Sequence, residues 1–257
     1  MQLGPPLAAA LAANGIASLR YDRRGVGATP GNWRATGFTA TRRDAEAALR
    51  ALADRPEVRA DAIGVIGHSE GAVHAMALAA RTSGVRPTAV VLLAGFARPG
   101  EDALRRQAEM IAGSLPAPVR PLLRTVADRY LVRAAATRSD VARIAGIPVN
   151  ARWMRELLAH DPRPDLANVR IPVLAITGDN DIQVDPADLD EIRRLVPGES
   201  EIHRVPGLTH LLRCVDGRPS LRTYPRQLRE PIDADLLTRI TGWLTTRLPV
   251  GTKGTTP

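Results

Sequence analysis

The chain has 257 residues, of which 44% are hydrophobic and 24% are charged, an ordinary composition for a globular protein with a sizeable core. Its formal net charge is +8, but the arginines are spread along the sequence and only 3% of the residues are aromatic. A nucleic-acid surface would cluster the charge on one face and place aromatic rings among it. The composition therefore argues against a nucleic-acid partner.

Cys214 is the only cysteine in the sequence, so no disulfide can form within the chain and a reducing, cytoplasmic compartment is expected. The N-terminal residues contain no basic segment followed by a long apolar core, and neither a signal peptide nor a membrane span is expected. The acidic residues lack the histidine and cysteine spacing of a zinc site. Neither a metal nor an organic cofactor is predicted.

The sequence opens with an alanine-rich pattern that predicts a helix over residues 5–14, with Gly15 as its C-terminal cap. Residues 16–21 then have the pattern of a strand. After a loop rich in glycine and arginine, Thr41 and Asp44 have the spacing of a capping box at the start of the next helix.

Short apolar strands are predicted next, over residues 62–67 and 88–94, with a buried helix over residues 72–80 between them. Continuous apolar strands of this length are typical of a parallel sheet covered by helices on both faces. The same rhythm returns later in the chain, with strands at residues 171–177 and 201–205 and helices at residues 186–195 and 233–247.

Residues 97–165 interrupt this rhythm with proline-broken helical segments rich in alanine, leucine and arginine. We interpret them as a helical cap inserted into an α/β core formed by residues 1–96 and 166–250. Residues 251–257 are predicted to be a disordered tail.

The pentapeptide Gly67-His68-Ser69-Glu70-Gly71 matches G-x-S-x-G directly after a predicted strand and before a predicted helix. A nucleophile elbow needs this context, because the sharp turn lifts the serine hydroxyl clear of the sheet and the glycines remove side chains that would clash. Ser69 is the predicted nucleophile. The following helix would direct its free N–H groups and its positive dipole end at Ser69.

A serine needs a base, and His210 lies in a turn just beyond the predicted strand at residues 201–205. Ligand-facing loops of parallel sheets lie at that edge, which favours His210 over the four other histidines, His68, His74, His160 and His203. The acid that orients the base should follow the preceding strand, where Asp179 and Asp181 both qualify. The order Ser, Asp, His is that of α/β-hydrolases.

The chain resembles the α/β-hydrolase family, and within it the bacterial esterases and serine-aminopeptidase-like hydrolases with a helical cap. The resemblance rests on the G-x-S-x-G pentapeptide and on three further stretches, Leu-Arg-Tyr-Asp-Arg-Arg-Gly-Val-Gly at 19–27, Gly-Asp-Asn-Asp-Ile-Gln-Val at 178–184 and Gly-Leu-Thr-His at 207–210. It implies a doubly wound, mostly parallel sheet with a helical cap. It also implies that the acid is Asp181, the aspartate of the family's G-x-x-D-x-x-V pattern, and that the loop at 22–27 is structural.

Family members have further strands before this point, one of which ends in a His-Gly loop that donates an N–H to the oxyanion hole. No such stretch is present, so the fold is expected to be N-terminally incomplete, with a strand missing between residues 16–21 and the strand before Ser69. Only the backbone N–H of Glu70 is predicted as an oxyanion donor. We expect Met1 to be an internal methionine of a longer protein, or the gene to be truncated.

These features predict a serine hydrolase that cleaves a small-molecule carboxylic ester through an acyl-enzyme intermediate, with Ser69, His210 and Asp181 as its triad. An amide, peptide or thioester hydrolase with the same triad is an alternative. So is a truncated module that binds a ligand without catalysis. No membrane partner is predicted, and the sequence does not indicate an oligomeric state.

Overall fold

A computed structural model describes residues 3–144 and 146–248 of the chain. Its helices are α1 (Gly4–Ala13), α2 (Phe38–Ala53), α3 (Glu70–Ala79), α4 (Gly100–Gly113), α5 (Arg120–Ala136), α6 (Ala151–Leu158), α7 (Arg163–Ala167), α8 (Asp188–Leu195), α9 (Tyr224–Gln227) and α10 (Ala234–Thr245). Its strands are β1 (Gly64–His68), β2 (Ala89–Leu93), β3 (Val141–Ile144), β4 (Ile147–Asn150), β5 (Val173–Gly178) and β6 (Ser200–Val205). The predicted tail at residues 251–257 lies outside the described residues.

The core is a four-stranded parallel sheet with the strand order β1-β2-β5-β6. Successive side chains of a strand point to opposite faces. In β2, Val91 and Leu93 therefore pack with α1 and α10 on one face, while Val90 and Leu92 pack with α3 and α8 on the other. Helices cover both faces, which explains the unbroken apolar strands and confirms the predicted α/β class.

Residues 16–21 form no strand, contrary to the sequence-based prediction. A cavity of about 420 Å³ is lined on one side by residues 15–20 and on another by β1. Leu7, Ile66 and Leu244 also line this cavity. An extended segment becomes a strand only by pairing with another. Among the described residues this segment has no partner, so the prediction of a strand at residues 16–21 is wrong.

The capping box predicted at Thr41 and Asp44 is also wrong. Helix α2 begins three residues earlier, at Phe38, with Gly37 as its cap. The Thr41 hydroxyl oxygen lies 2.8 Å from the carbonyl oxygen of Phe38 and 3.0 Å from Oε1 of Glu70, and the Asp44 carboxylate accepts hydrogen bonds from Nε and Nη2 of Arg24. Both side chains thus serve contacts other than helix capping.

The segment between β2 and β5 contains the helices α4, α5, α6 and α7 and an antiparallel hairpin of β3 and β4. This hairpin was not predicted, since its strands are four residues long and Pro148 interrupts the second. Helices α4, α5 and α6 of this segment pack on one another. Among the described residues, no helix is both long and apolar enough to cross a membrane.

Candidate active site

Ser69 lies at the junction of β1 and α3 with φ 55° and ψ −120°, a conformation that costs a non-glycine residue strain. Its backbone is held there by a bond from its N–H to the carbonyl of Leu93, at 2.9 Å. The turn is so tight that a Cβ added to Gly67 would lie 2.1 Å from the carbonyl oxygen of Gly71. Gly67 thus permits the tight turn, whereas a Cβ at Gly71 would meet no atom within 4 Å, so the expected clash at the second glycine is not found.

Glu70 is the first residue of α3, so its backbone N–H has no partner within the helix and lies at the positive end of the helix dipole. Its carboxylate accepts hydrogen bonds from the Thr41 hydroxyl at 3.0 Å and from His74 at 3.2 Å. Burial alone would raise the pKa of Glu70, but the bonds from His74 and Thr41 outweigh it and lower that pKa. The side chain stays ionised and anchored while the N–H remains available.

Asp181 and His210 form a buried pair. The Oδ2 atom of Asp181 lies 2.9 Å from Nδ1 of His210, and the two residues are 2% and 5% exposed. The other oxygen, Oδ1, accepts the backbone N–H groups of Gln183 at 2.7 Å and Val184 at 2.9 Å. Both oxygens of Asp181 thus make hydrogen bonds, which fixes the orientation of the carboxylate. Because a carboxylate can only accept, Nδ1 of His210 carries the proton of this bond.

Asp179, the other aspartate that the sequence left open, faces elsewhere. Its carboxylate accepts the backbone N–H of Gly207 at 2.6 Å at an exposed position. It therefore ties the end of β5 to the turn after β6, and among the described residues it makes no hydrogen bond to His210.

The turn at Ser69 and the buried pair meet through His68, the residue before Ser69. Its Nε2 lies 2.9 Å from the carbonyl oxygen of His210, and the two rings are 4.8 Å apart between centroids. The Ser69 hydroxyl makes no hydrogen bond to any described residue. Such contacts in free enzymes are often long and tighten when substrate binds.

A cavity of about 190 Å³ opens beside Ser69 and beneath α4 and α6. Phe96, Leu104 and Trp153 are among the residues of its apolar side. Its polar side contains three ion pairs, of Arg98 with Asp188 at 2.9 Å and with Asp185 at 3.5 Å, and of Arg106 with Asp185 at 2.7 Å. The larger cavity beside β1 contains none of Ser69, Asp181 and His210.

The chain is similar to known proteins along most of its length. Residues 4–214 match the family model described as serine aminopeptidase, S33. The chain belongs to this family of α/β-hydrolases. Two proteins from strains of Mycobacterium tuberculosis, both described as uncharacterized, are 31% identical over 228 residues. These matches cover 87% of this chain and 64% of each relative, so the chain spans less than two thirds of the length of these relatives.

Solved structures share the fold of this serine aminopeptidase family member. Est1E from Butyrivibrio proteoclasticus with bound ferulic acid has a TM-score of 0.64 at 18% identity, covering 94% of this chain and 81% of that one. A monoacylglycerol lipase from Paleococcus ferrophilus has a TM-score of 0.58 at 15% identity, covering 95% and 88%. A structure described under the metagenome-derived lipolytic enzymes LipS and LipT has a TM-score of 0.61 at 17% identity. The match covers 93% of this chain and 86% of that one.

The remaining histidines of this family member lie away from the buried pair. His74 is on α3 and bonds Glu70 and Thr41. His160 follows α6 and contacts Arg42, with Nε2 3.2 Å from the guanidinium. His203 lies on β6 and bonds Glu201.

Sequence reasoning did not single out Arg213 or Gln227, which are buried and bond the residues on either side of His210, Leu211 and Thr209. The Arg213 guanidinium donates to the carbonyls of Leu211 and Glu230, and burial lowers the pKa of Arg213. The side-chain amide oxygen of Gln227, Oε1, accepts a hydrogen bond from the Thr209 hydroxyl at 2.7 Å. Neither residue belongs to a recognisable sequence motif, so their contacts with the turn around His210 become visible only in the folded structure.

Acid should destabilise the protein through two histidines. The pKa values of His68 and His160 are both lowered to about 4, mainly because burial disfavours the charged ring. In the unfolded chain each ring titrates near pH 6.5, so between about pH 6.5 and 4 the unfolded chain binds more protons. Stability should be fully present above about pH 6.5 and fall by on the order of 3–4 kcal/mol towards about pH 4, most of it through His68, since the contribution of the half-buried His160 is discounted for solvent screening.

Urea unfolding at several pH values between these limits measures this loss. The variant His160→Gln, which retains an acceptor for Arg42 but cannot titrate, should lose less stability on acidification than the unmodified protein. Equal losses in the two proteins would contradict this role of His160.

Proposed function

We propose that the protein hydrolyses carboxylic esters through an acyl-enzyme intermediate. The observation that carries this proposal is the bond from His210 to the buried Asp181, with Ser69 in a nucleophile-elbow conformation next to the residue that contacts His210. A serine becomes nucleophilic only when a base takes its proton, and this arrangement provides an oriented base.

In the first half of the reaction, the Ser69 hydroxyl attacks the ester carbonyl carbon while Nε2 of His210 takes its proton. The carbonyl oxygen becomes an oxyanion, which the backbone N–H of Glu70 stabilises. When the carbon–oxygen bond to the leaving group breaks, His210 returns the proton to the departing alcohol. Asp181 holds the imidazole in the required tautomer and stabilises its charged form.

In the second half, water replaces the alcohol. His210 takes a proton from water while the water oxygen attacks the acyl carbon. A second oxyanion then forms, which the backbone N–H of Glu70 again stabilises. Its collapse releases the acid and returns the proton to the Ser69 oxygen. The chemistry of both halves uses only groups of this chain and water.

The cavity beside Ser69 indicates a small acyl group. At about 190 Å³ it is smaller than the roughly 300–1,000 Å³ of common ligand pockets. Its apolar side suits a short hydrocarbon, while the ion pairs of Arg98 and Arg106 close the other side. Est1E, which has the same fold, binds ferulic acid, so an acid of modest size is compatible with this architecture.

The test is hydrolysis of nitrophenyl esters with acyl groups from acetyl to dodecanoyl. We expect the highest kcat/KM for acetyl or butyryl esters and a steep fall for decanoyl and longer chains. A protein whose circular dichroism shows it to be folded, but which cleaves none of these esters, would contradict the proposal. A maximum at dodecanoyl would contradict the assignment of the acyl group to this cavity.

A second candidate keeps the same residues but cleaves an amide or peptide bond. It is favoured by the family description as serine aminopeptidase. Release of nitroaniline from aminoacyl nitroanilides distinguishes it from the ester hydrolase. A covalent serine probe addresses the remaining alternative, a binding module, because a non-catalytic protein would leave Ser69 unlabelled.

A further inference from the structure

The turn that carries His210, residues 209–213, is shaped by hydrogen bonds to all its carbonyl oxygens. The Thr209 carbonyl accepts from the N–H of Leu212 at 2.8 Å, and the Arg213 carbonyl accepts from the N–H of Thr209 at 2.9 Å. The Leu211 carbonyl accepts from the Arg213 guanidinium. These three bonds close the turn on itself.

Two further bonds tie the turn to other elements. The Leu212 carbonyl accepts from the N–H of Asp233, at the start of α10, at 3.0 Å. The His210 carbonyl accepts from Nε2 of His68, at 2.9 Å. Leu212 itself has a φ of 63°, a strained value that persists only where the surroundings over-determine it. The position of His210 thus depends on outside contacts as well as on the turn.

We propose that His68 is a positioning residue, which holds the base His210 over the nucleophile through the bond to its carbonyl oxygen. The inference rests on the proposed ester hydrolase function. A carbonyl oxygen can only accept, so Nε2 of His68 carries the proton and donates. Because His68 precedes Ser69 directly, this bond fixes the base relative to the elbow independently of the path through β2 and β5.

The chemistry of the ring suits this position. His210 becomes positively charged in the transition state, and its ring lies 4.8 Å from that of His68. A second charge at this distance would oppose the transfer of the proton from Ser69. Burial and the neighbouring His210 hold the pKa of His68 at about 4, so the ring next to the base is neutral at ordinary pH and still donates its one N–H.

Three variants separate donation from packing. His68→Phe keeps a planar ring but has no donor, whereas His68→Gln can place an amide N–H near the position of Nε2. His203→Gln removes a histidine from β6 whose hydrogen-bond partners are Glu201 and Arg239 rather than His210, and it serves as the matched control. All three are compared with the unmodified protein on a short-chain nitrophenyl ester, and thermal unfolding establishes that each is folded.

Misplacement of a base by a fraction of an ångström costs on the order of 10- to 100-fold in rate. We expect His68→Phe to lose this much in kcat with KM changed by less than about threefold, since the substrate cavity does not include His68. His68→Gln should recover most of the loss, and His203→Gln should match the unmodified protein. Equal loss in His68→Phe and His68→Gln, or none in either, would overturn the proposal.

A second measurement does not depend on turnover. The proton shared by Nδ1 of His210 and Asp181 gives a low-field NMR resonance whose exchange broadening reports how firmly the pair is held. In His68→Phe this resonance should broaden relative to His68→Gln, and identical spectra would overturn the proposal. If the unmodified protein cleaves no ester, the proposed function fails while the spectra still decide the role of His68.

Discussion

Replacement of Ser69 by alanine is expected to reduce ester hydrolysis by on the order of 10⁴- to 10⁶-fold in kcat. The change removes the only oxygen that this mechanism places in position to attack, and the remaining His210 and Glu70 N–H can only assist water. Alanine retains the Cβ, so the positive φ of this position is no more strained than before. The measurement is kcat on a short-chain nitrophenyl ester under matched conditions.

The variant should unfold at the same temperature as the unmodified protein, because Ser69 makes no side-chain hydrogen bond within the described residues. A covalent serine probe, followed by mass spectrometry, should modify the unmodified protein at Ser69 and leave Ser69→Ala unmodified. Retention of a tenth or more of the activity in a purified Ser69→Ala sample would rule out Ser69 as the nucleophile.

Replacement of Asp181 by asparagine is expected to lower kcat by about 10⁴-fold. The amide preserves the shape of the carboxylate, but its nitrogen or its neutral oxygen must now face Nδ1 of His210. The imidazole loses the partner that fixes its tautomer and the negative charge that stabilises its protonated form. Steady-state kinetics with the same ester measures the effect.

Asp179→Asn is the matched control, since it makes the same chemical change two residues away. Its remaining oxygen can still accept the N–H of Gly207, so we expect a loss of less than about tenfold, in line with one weakened hydrogen bond. Comparable losses in Asp179→Asn and Asp181→Asn would mean that the carboxylates act through the stability of the turn rather than through His210.

The sequence was most informative where the chemistry is local. The pentapeptide around Ser69 specifies a strand, a strained turn and a helix within a few residues, and the structure contains all three. The position of His210 followed from a general property of parallel sheets, in which loops at the carboxyl ends of strands share one edge. The choice between Asp179 and Asp181 needed the family resemblance, because both follow β5 equally well.

Features that depend on distant partners could not be predicted in this way. Residues 16–21 have a strand pattern but no neighbour to pair with in the part of the chain that the structure describes, and pairing is not encoded locally. Thr41 and Asp44 have capping spacing, yet Arg24 and Glu70 compete for their side chains. The contact between His68 and the His210 carbonyl joins residues 142 positions apart.

The order of strands has a consequence for how activity is lost. Ser69 follows β1 and His210 follows β6, and these are the two outermost strands of the sheet. β1 also borders the cavity next to residues 15–20. Outer strands open by local fluctuations that leave the interior intact. Heat or mild denaturant can therefore separate Ser69 from His210 while β2 and β5 remain paired, so that the proposed hydrolase activity, which needs both residues, should be lost before global unfolding.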